Sequence, residues 1–252
     1  EMVRISEKGR KELGFLASRV DLALADSEFN RQELIQAGFP ETEVFPLFVD
    51  FSRYEQPINR FVFDLFRDGR TNILFVGRIV PNKKIEDMIR VLFYYKKYIS
   101  PLVRLIVVGK TSSLSGYFRS LVRLADEFYL KPEEICFTGH IPDEEMFALY
   151  RASDVFLSMS EHEGFGLPLI ESMVFDLPVI AYDAAAVAGT LDGAGVLIKQ
   201  KKVDAVAELV DIVAHNPSVR ASVLEGQRER LARFRKAETE KFLMRILERL
   251  KT

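Results

Sequence analysis

The sequence predicts an α/β protein built on a doubly wound, mostly parallel sheet. Short apolar runs alternate with longer amphipathic ones, which implies successive βαβ units. The short runs are almost continuously apolar, as strands covered on both faces are. Glycine and polar residues follow most of them, as at the ends of such strands. The 252 residues are 48% hydrophobic, enough for a substantial core in one large or two small domains.

Six strands are expected in the main sheet: 72–76, 103–108, 134–138, 154–159, 178–182 and 195–198. Helical patterns lie between or after them at 85–99, 115–128, 143–151, 168–175, 203–215, 217–234 and 238–250. Asn216-Pro217 supplies an N-cap followed by a proline at the first helical position. The first 50 residues have another rhythm: helix over 6–19, strand over 22–25, helix over 28–37 closing at Gly38, and an extended 44–49 interrupted by Pro46. Pro57 and Asn59 suggest a linker. The chain opens at Glu1 directly on helical pattern, the expectation for a piece of a longer protein.

A formal net charge of −2 gives no basic field for nucleic acid. No apolar run approaches the roughly 20 residues that span a bilayer. The single cysteine, Cys136, has no internal disulfide partner; it sits in an apolar run, is expected in the core, and fits a reducing, cytoplasmic setting.

Ligands of open parallel sheets bind at the carboxyl ends of the strands. After the first strand come Gly77, Arg78, Pro81, Asn82 and Lys83; after the second, Gly109, Lys110 and Thr111-Ser112-Ser113; after the third, Gly139-His140. After the fourth comes Ser160 and then "EHEGFGLPLIE", residues 161–171, and after the fifth Asp183. One such turn is ordinary loop chemistry. Four in a row, with cations at the first two and acids at the fourth, point to a site. Arg78 offers a planar fork and Lys83 a point charge to one anion, although two solvated surface cations is an equally good reading of that pair alone.

In the 161–171 stretch, Gly164 and Gly166 let backbone approach a ligand. Pro168 suits a first helical turn. A helix start after a glycine turn favours an anion such as a diphosphate. Glu171, expected in that first turn, can accept hydrogen bonds from the vicinal hydroxyls of a ribose, and Glu163 from those of a sugar. The plainer readings are a first-turn acid favoured by the helix dipole for Glu171 and a solvated loop acid for Glu163. His162 has no assigned role. Paired carboxylates also serve glycoside hydrolysis, which ranks lower here because the cationic edge points to a phosphate-bearing ligand. No G-x-G-x-x-G follows a strand, and no Walker loop, Cys/His metal spacing or D-x-D occurs.

The segments "FVGRIVPNKKIEDMI", "FTGHIPDEEMFALYRASDVFLSMSEHEGFGLPLIESM" and "PVIAYDAAAV" resemble the donor-binding half of the family-four retaining glycosyltransferases, which have the GT-B fold. "DLALADSEFNRQELIQAGF" resembles the end of that family's amino-terminal domain. The resemblance runs from about Val20 to the final helix. Its strongest parts are E-x7-E, matched by Glu163 and Glu171, and G-R-x4-K, matched by Gly77, Arg78 and Lys83.

The resemblance implies a Rossmann-like nucleotide-sugar-binding domain over 59–235. It implies a remnant of the acceptor-side domain and the interdomain crossing over 1–58, and a final helix over 236–252 that returns toward that domain. The catalytic residues implied are Arg78 and Lys83, expected to bind the donor diphosphate and stabilise the leaving nucleoside diphosphate, and Glu163, expected to contact the transferred sugar. Gly77, Gly164, Phe165, Gly166 and Leu167 are expected near sugar and phosphate, Glu171 on the ribose, and Gly139, His140 and Ile141 beside the base. The substrate implied is a nucleotide diphosphate sugar such as a GDP- or UDP-hexose, with a hydroxyl acceptor held by the amino-terminal domain and no metal or other cofactor.

The resemblance leaves room for peripheral membrane contact of the parent protein and for self-association. Two other readings stand beside transfer: a noncatalytic nucleotide-sugar-binding or interaction module, and a sugar-nucleotide epimerase of the same fold. The sequence departs from the family pattern at Lys84, where glycine is common, and around 183–191, where Ala185, Ala188 and Gly189 replace a glycine, proline and acid.

Overall fold

The computed structural model describes residues 2–45, 47–110, 116–234 and 236–249. Glu1, Pro46, Thr111 to Ser113, Ser115 and Leu250, named above, lie outside them. The chain forms two compact units, Glu1–Val49 with Arg233–Thr252, and Asp50–Ala232.

The first unit contains α1 (Met2–Ala17), β1 (Ala23–Ala25), α2 (Glu28–Gln36), β2 (Thr42–Val44) and the final helix α11 (Lys236–Arg249). The two strands pair in parallel. Ser27 caps α2 by accepting from the Asn30 N–H, as a serine before an acidic first turn does. Helix α11 is bound to β2 and its sequel: Arg245 pairs with Glu43 at 2.9 Å, and Phe242 meets Phe45 edge to face.

The second unit begins with a 3₁₀ turn, Phe51–Glu55, and α3 (Arg60–Leu65). Residues 57–59, where a linker is expected, have no regular secondary structure, and Asn59 at their end is the N-cap of α3, accepting from the Val62 N–H. Helix α3 escapes periodicity because Phe61 and Leu65 are exposed, so its apolar residues do not mark its buried side.

The remaining elements are β3 (Thr71–Val76), α4 (Ile85–Tyr98), β4 (Val103–Val108), α5 (Gly116–Glu127), β5 (Ile135–Gly139), α6 (Asp143–Ala152), β6 (Val155–Ser158), α7 (Leu167–Val174), β7 (Val179–Tyr182), α8 (Val187–Leu191), β8 (Val196–Ile198), α9 (Val203–His215) and α10 (Pro217–Leu231). All six expected strands are present within a residue or so at each end. The short α8, and the 3₁₀ turn at Pro81–Lys83, are additions.

The main sheet has the order β5-β4-β3-β6-β7-β8, and every pair is parallel. This is the doubly wound arrangement expected. Its central strands carry Ile73, Leu74, Leu105, Ile106, Val155 and Leu157, all fully buried, because helices cover both faces. Cys136 departs from expectation: on edge strand β5 it is half-buried, and its thiol donates to the Pro132 carbonyl.

The order fixes where a ligand can enter. From β3 the chain winds outward through β4 to β5, then returns to β6 on the other flank of β3. Connections from β3 and β6 therefore leave in opposite directions, and a crevice opens between their carboxyl ends.

Candidate functional site

That crevice is occupied by a cavity of about 220 Å³. Its walls come from two stretches, the end of β3 with its following turn (Phe75 to Arg78, and Lys83) and the end of β6 with the loop into α7 (Phe156, Ser158 and Glu163 to Leu169). Gly77, Arg78, Lys83, Glu163, Gly164, Phe165, Gly166 and Leu167 are thereby brought together from two parts of the sequence.

Bare backbone is what permits the β3 side. Gly77 N–H donates to Val108 O, and Gly109 N–H to Gly139 O, each at 2.9 Å, so three strand ends are tied in a row. A Cβ on Gly109 would lie 1.8 Å from the Gly77 carbonyl oxygen, so no larger residue fits beside the Arg78 turn. Arg78 is exposed on the cavity wall and makes no ion pair with any described residue. Lys83, in the 3₁₀ turn, is 2.7 Å from Glu163, with only 12% and 15% of the two side chains exposed.

The turn and the loop are joined by further links. The Glu161 N–H donates to Asn82 O at 2.8 Å, and the Asn82 side chain donates to His162 O. Lys84 has φ 50° and ψ 46°, the left-handed conformation that glycine adopts without strain. Its ammonium turns away from the cavity lining to Glu161 at 3.3 Å and Glu86 at 3.8 Å. Glu161 also meets Lys201 at 3.1 Å. Partial burial pushes the Glu161 carboxyl up, but its bonds from Lys201 and Lys84 outweigh that and hold it below the usual range.

On the other side, Gly166 is the N-cap of α7 with φ 81°, and a Cβ there would meet Leu169 Cδ1 at 2.9 Å. The helix opening is poorer in donors than the sequence suggests. Pro168 has no N–H, and the Leu169 N–H donates to Gly166 O. The 183–191 segment braces the loop: Ala186 N–H donates to Glu163 O at 3.2 Å, and the Thr190 hydroxyl donates to Phe165 O. Nothing at 183–191 in the sequence signals this brace.

Glu171 is placed differently from the other candidates. It stands in the second turn of α7, not the first, and does not line the cavity. It is on the helix face of Leu167 and Pro168, which do line it. Only 4% exposed, it accepts from Tyr150 Oη at 2.9 Å and from Tyr54 Oη at 3.2 Å. Burial pushes its carboxyl above the usual range despite both bonds. The sequence reading does not foresee these two partners of Glu171. The available signal is chemical: a tyrosine that folds into the core needs a partner for its hydroxyl. Gly139, His140 and Ile141 stand at the end of β5, two strands from β3, and do not line the cavity. Gly139 accepts from the Gly109 N–H, the bond that ties its strand end to the next.

Comparison with known proteins gives a consistent picture. The model of a family described as glycosyl transferases group 1 matches residues 58–232. A D-inositol 3-phosphate glycosyltransferase of Nocardia farcinica is 30% identical over 201 residues, 77% of this chain and 44% of the relative. A GDP-mannose-dependent alpha-mannosyltransferase of Mycobacterium tuberculosis is 31% identical over 168 residues, 65% of this chain and 39% of the relative. The chain thus spans less than half the length of these relatives.

Among solved structures, Anabaena HepE in complex with UDP and glucose superposes with a TM-score of 0.84 at 21% identity, covering 98% of this chain and 69% of that one. Sucrose-phosphate synthase from Thermosynechococcus elongatus gives 0.79 at 21% identity, covering 97% and 62%. These likenesses show the fold, the GT-B type. With the family matched across the whole β3–β8 sheet, the chain belongs to the glycosyl transferases group 1 family.

Proposed function

We propose that this chain is the donor half of a retaining hexosyltransferase and binds a nucleotide diphosphate sugar in the β3/β6 crevice. One observation carries the reading: Arg78, Lys83 and the Glu163–Leu169 loop line a single cavity at the switch point of the sheet. Arg78 and Lys83 bind the diphosphate, Glu163 the sugar, and Glu171 the ribose, with the base beside Gly139, His140 and Ile141. GDP in the name of one relative and UDP in the structure of HepE support a GDP- or UDP-hexose as donor.

The chemistry follows from charge. When the glycosidic bond breaks, negative charge grows on the leaving diphosphate, and cations already in place there stabilise it. Before donor arrives, Lys83 neutralises Glu163. An entering diphosphate competes for that ammonium and leaves Glu163 to accept from sugar hydroxyls. Attack of the acceptor on the same face, with the diphosphate assisting its deprotonation, retains the configuration. Transfer to a hydroxyl acceptor is proposed for the full-length enzyme; this chain alone binds donor and transfers little or nothing.

The test is calorimetry with UDP and GDP on the unmodified chain and on Arg78→Ala. Loss of a charge-assisted bond to phosphate is expected to weaken binding by about 10- to 100-fold. Unchanged affinity in the variant removes the phosphate assignment.

A further inference from the structure

Glu171 is held in a way the family motif does not foreshadow. Its two carboxylate oxygens are each bonded by a different tyrosine, Oε1 by Tyr54 and Oε2 by Tyr150. The nearest strong cation, Arg53, is engaged by Asp143 at 2.9 Å, so the direct donors to Glu171 are neutral hydroxyls. Both rings are fixed by aromatic packing. Tyr150 stacks on Phe175 with centroids 5.1 Å apart and planes at 15°. Tyr54 meets Phe175 edge to face at 5.7 Å and tilts on Phe147 at 5.5 Å.

An ionised carboxylate has about four acceptor positions, two on each oxygen. One tyrosine on each oxygen leaves one acceptor position open on each oxygen. Two adjacent hydroxyls on neighbouring carbons are the donor pair that fits two such positions. A lone hydroxyl fills only one, and in a site this dry the unfilled position is costly.

We infer that Tyr54 and Tyr150 are positioning residues that shape Glu171 into a two-point acceptor for a vicinal diol, and so set a preference for ribonucleotides over 2′-deoxyribonucleotides. The inference rests on the reading that Glu171 faces the ribose. Neither tyrosine touches the reacting atoms. Tyr150, with the shorter bond and the more deeply buried ring, has the larger share.

The experiment is calorimetry with UDP, 2′-deoxy-UDP, GDP and 2′-deoxy-GDP on the unmodified chain, Tyr150→Phe, Tyr54→Phe, Glu171→Gln and Arg78→Ala, with circular dichroism to verify folding. The unmodified chain is expected to favour the ribonucleotide. Tyr150→Phe is expected to weaken ribonucleotide binding about 3- to 10-fold while changing the deoxynucleotide by less than about twofold. Tyr54→Phe acts in the same direction with a smaller ratio, and it carries the test should Tyr150→Phe fold poorly. In the Glu171→Gln background the tyrosine changes are expected to have no further effect on the ratio, as a coupled pair requires.

A ratio that stays unchanged in both tyrosine variants, or persists undiminished in Glu171→Gln, overturns the inference. If Arg78→Ala still weakens all ligands alike, the donor reading survives that failure. If the unmodified chain binds none of the four nucleotides, both readings fall.

Discussion

Glu163 and Glu171 are the same residue eight positions apart, on either side of one glycine turn, yet the fold gives them opposite environments. Glu163 is paired with an ammonium at the wall of an open cavity, and its partner Lys83 comes from the turn after β3. Glu171 is buried and held by two phenols. A cation beside a carboxylate neutralises it and can be drawn away by a stronger anion. Hydroxyls orient a carboxylate without neutralising it and have no reason to leave when an anion enters. The first arrangement suits an exchangeable contact and the second a fixed template.

The largest effect should come from breaking the exchangeable half. Lys83→Met leaves Glu163 mostly buried without its cation, and a loss of about 1–3 kcal/mol in stability is expected, below the range for fully buried pairs because both groups retain some water. Adding Glu163→Gln to the same chain should recover most of that loss. Urea unfolding of the two variants checks the pair; a double variant as unstable as the single one means that the contact is incidental.

Next comes the pH response of the fixed half. The folded chain holds the Glu171 carboxyl above its ordinary 4.5 because burial disfavours the charge. Between the ordinary and the raised value the folded state binds more protons than the unfolded one, so stability contributed at this position falls as pH rises through that window. Unfolding free energies measured against pH should therefore fall more steeply in the unmodified chain than in Glu171→Gln. Parallel curves would contradict the assigned cause.

The smallest effect is expected at Lys84, which borders the exchangeable half without lining it. Lys84→Gly relieves a left-handed residue, worth roughly 1 kcal/mol, and removes part-exposed ion pairs worth less than about 1 kcal/mol. A net gain of a few tenths of a kcal/mol is expected, growing at low pH as Glu161 protonates and the pair it supports is lost anyway. A clear destabilisation at neutral pH shows that the Lys84–Glu161 pair matters more to the loop than its exposure suggests.

Much of this was readable in advance. Runs such as 105–108 are continuous in Leu, Ile and Val, as a strand covered on both faces is. The Gly77-Arg78 and Glu163-to-Glu171 stretches announced themselves as polar breaks between apolar elements. Helix α3 did not, because Phe61 and Leu65 face solvent and blur its period. Cys136 looked like a core residue because its neighbours are apolar, but an edge strand leaves part of itself uncovered.

The sequence by itself determined the strands, their parallel winding and the two motif stretches, because periodicity, capping and turn chemistry act between residues a few positions apart. Only the tertiary structure decided that Lys83 meets Glu163, that Thr190 braces Phe165, and that Glu171 is held by tyrosines 21 and 117 positions away. Those pairings depend on which strand ends lie side by side and which rings pack over α7, and contacts of that kind leave no local pattern in the chain.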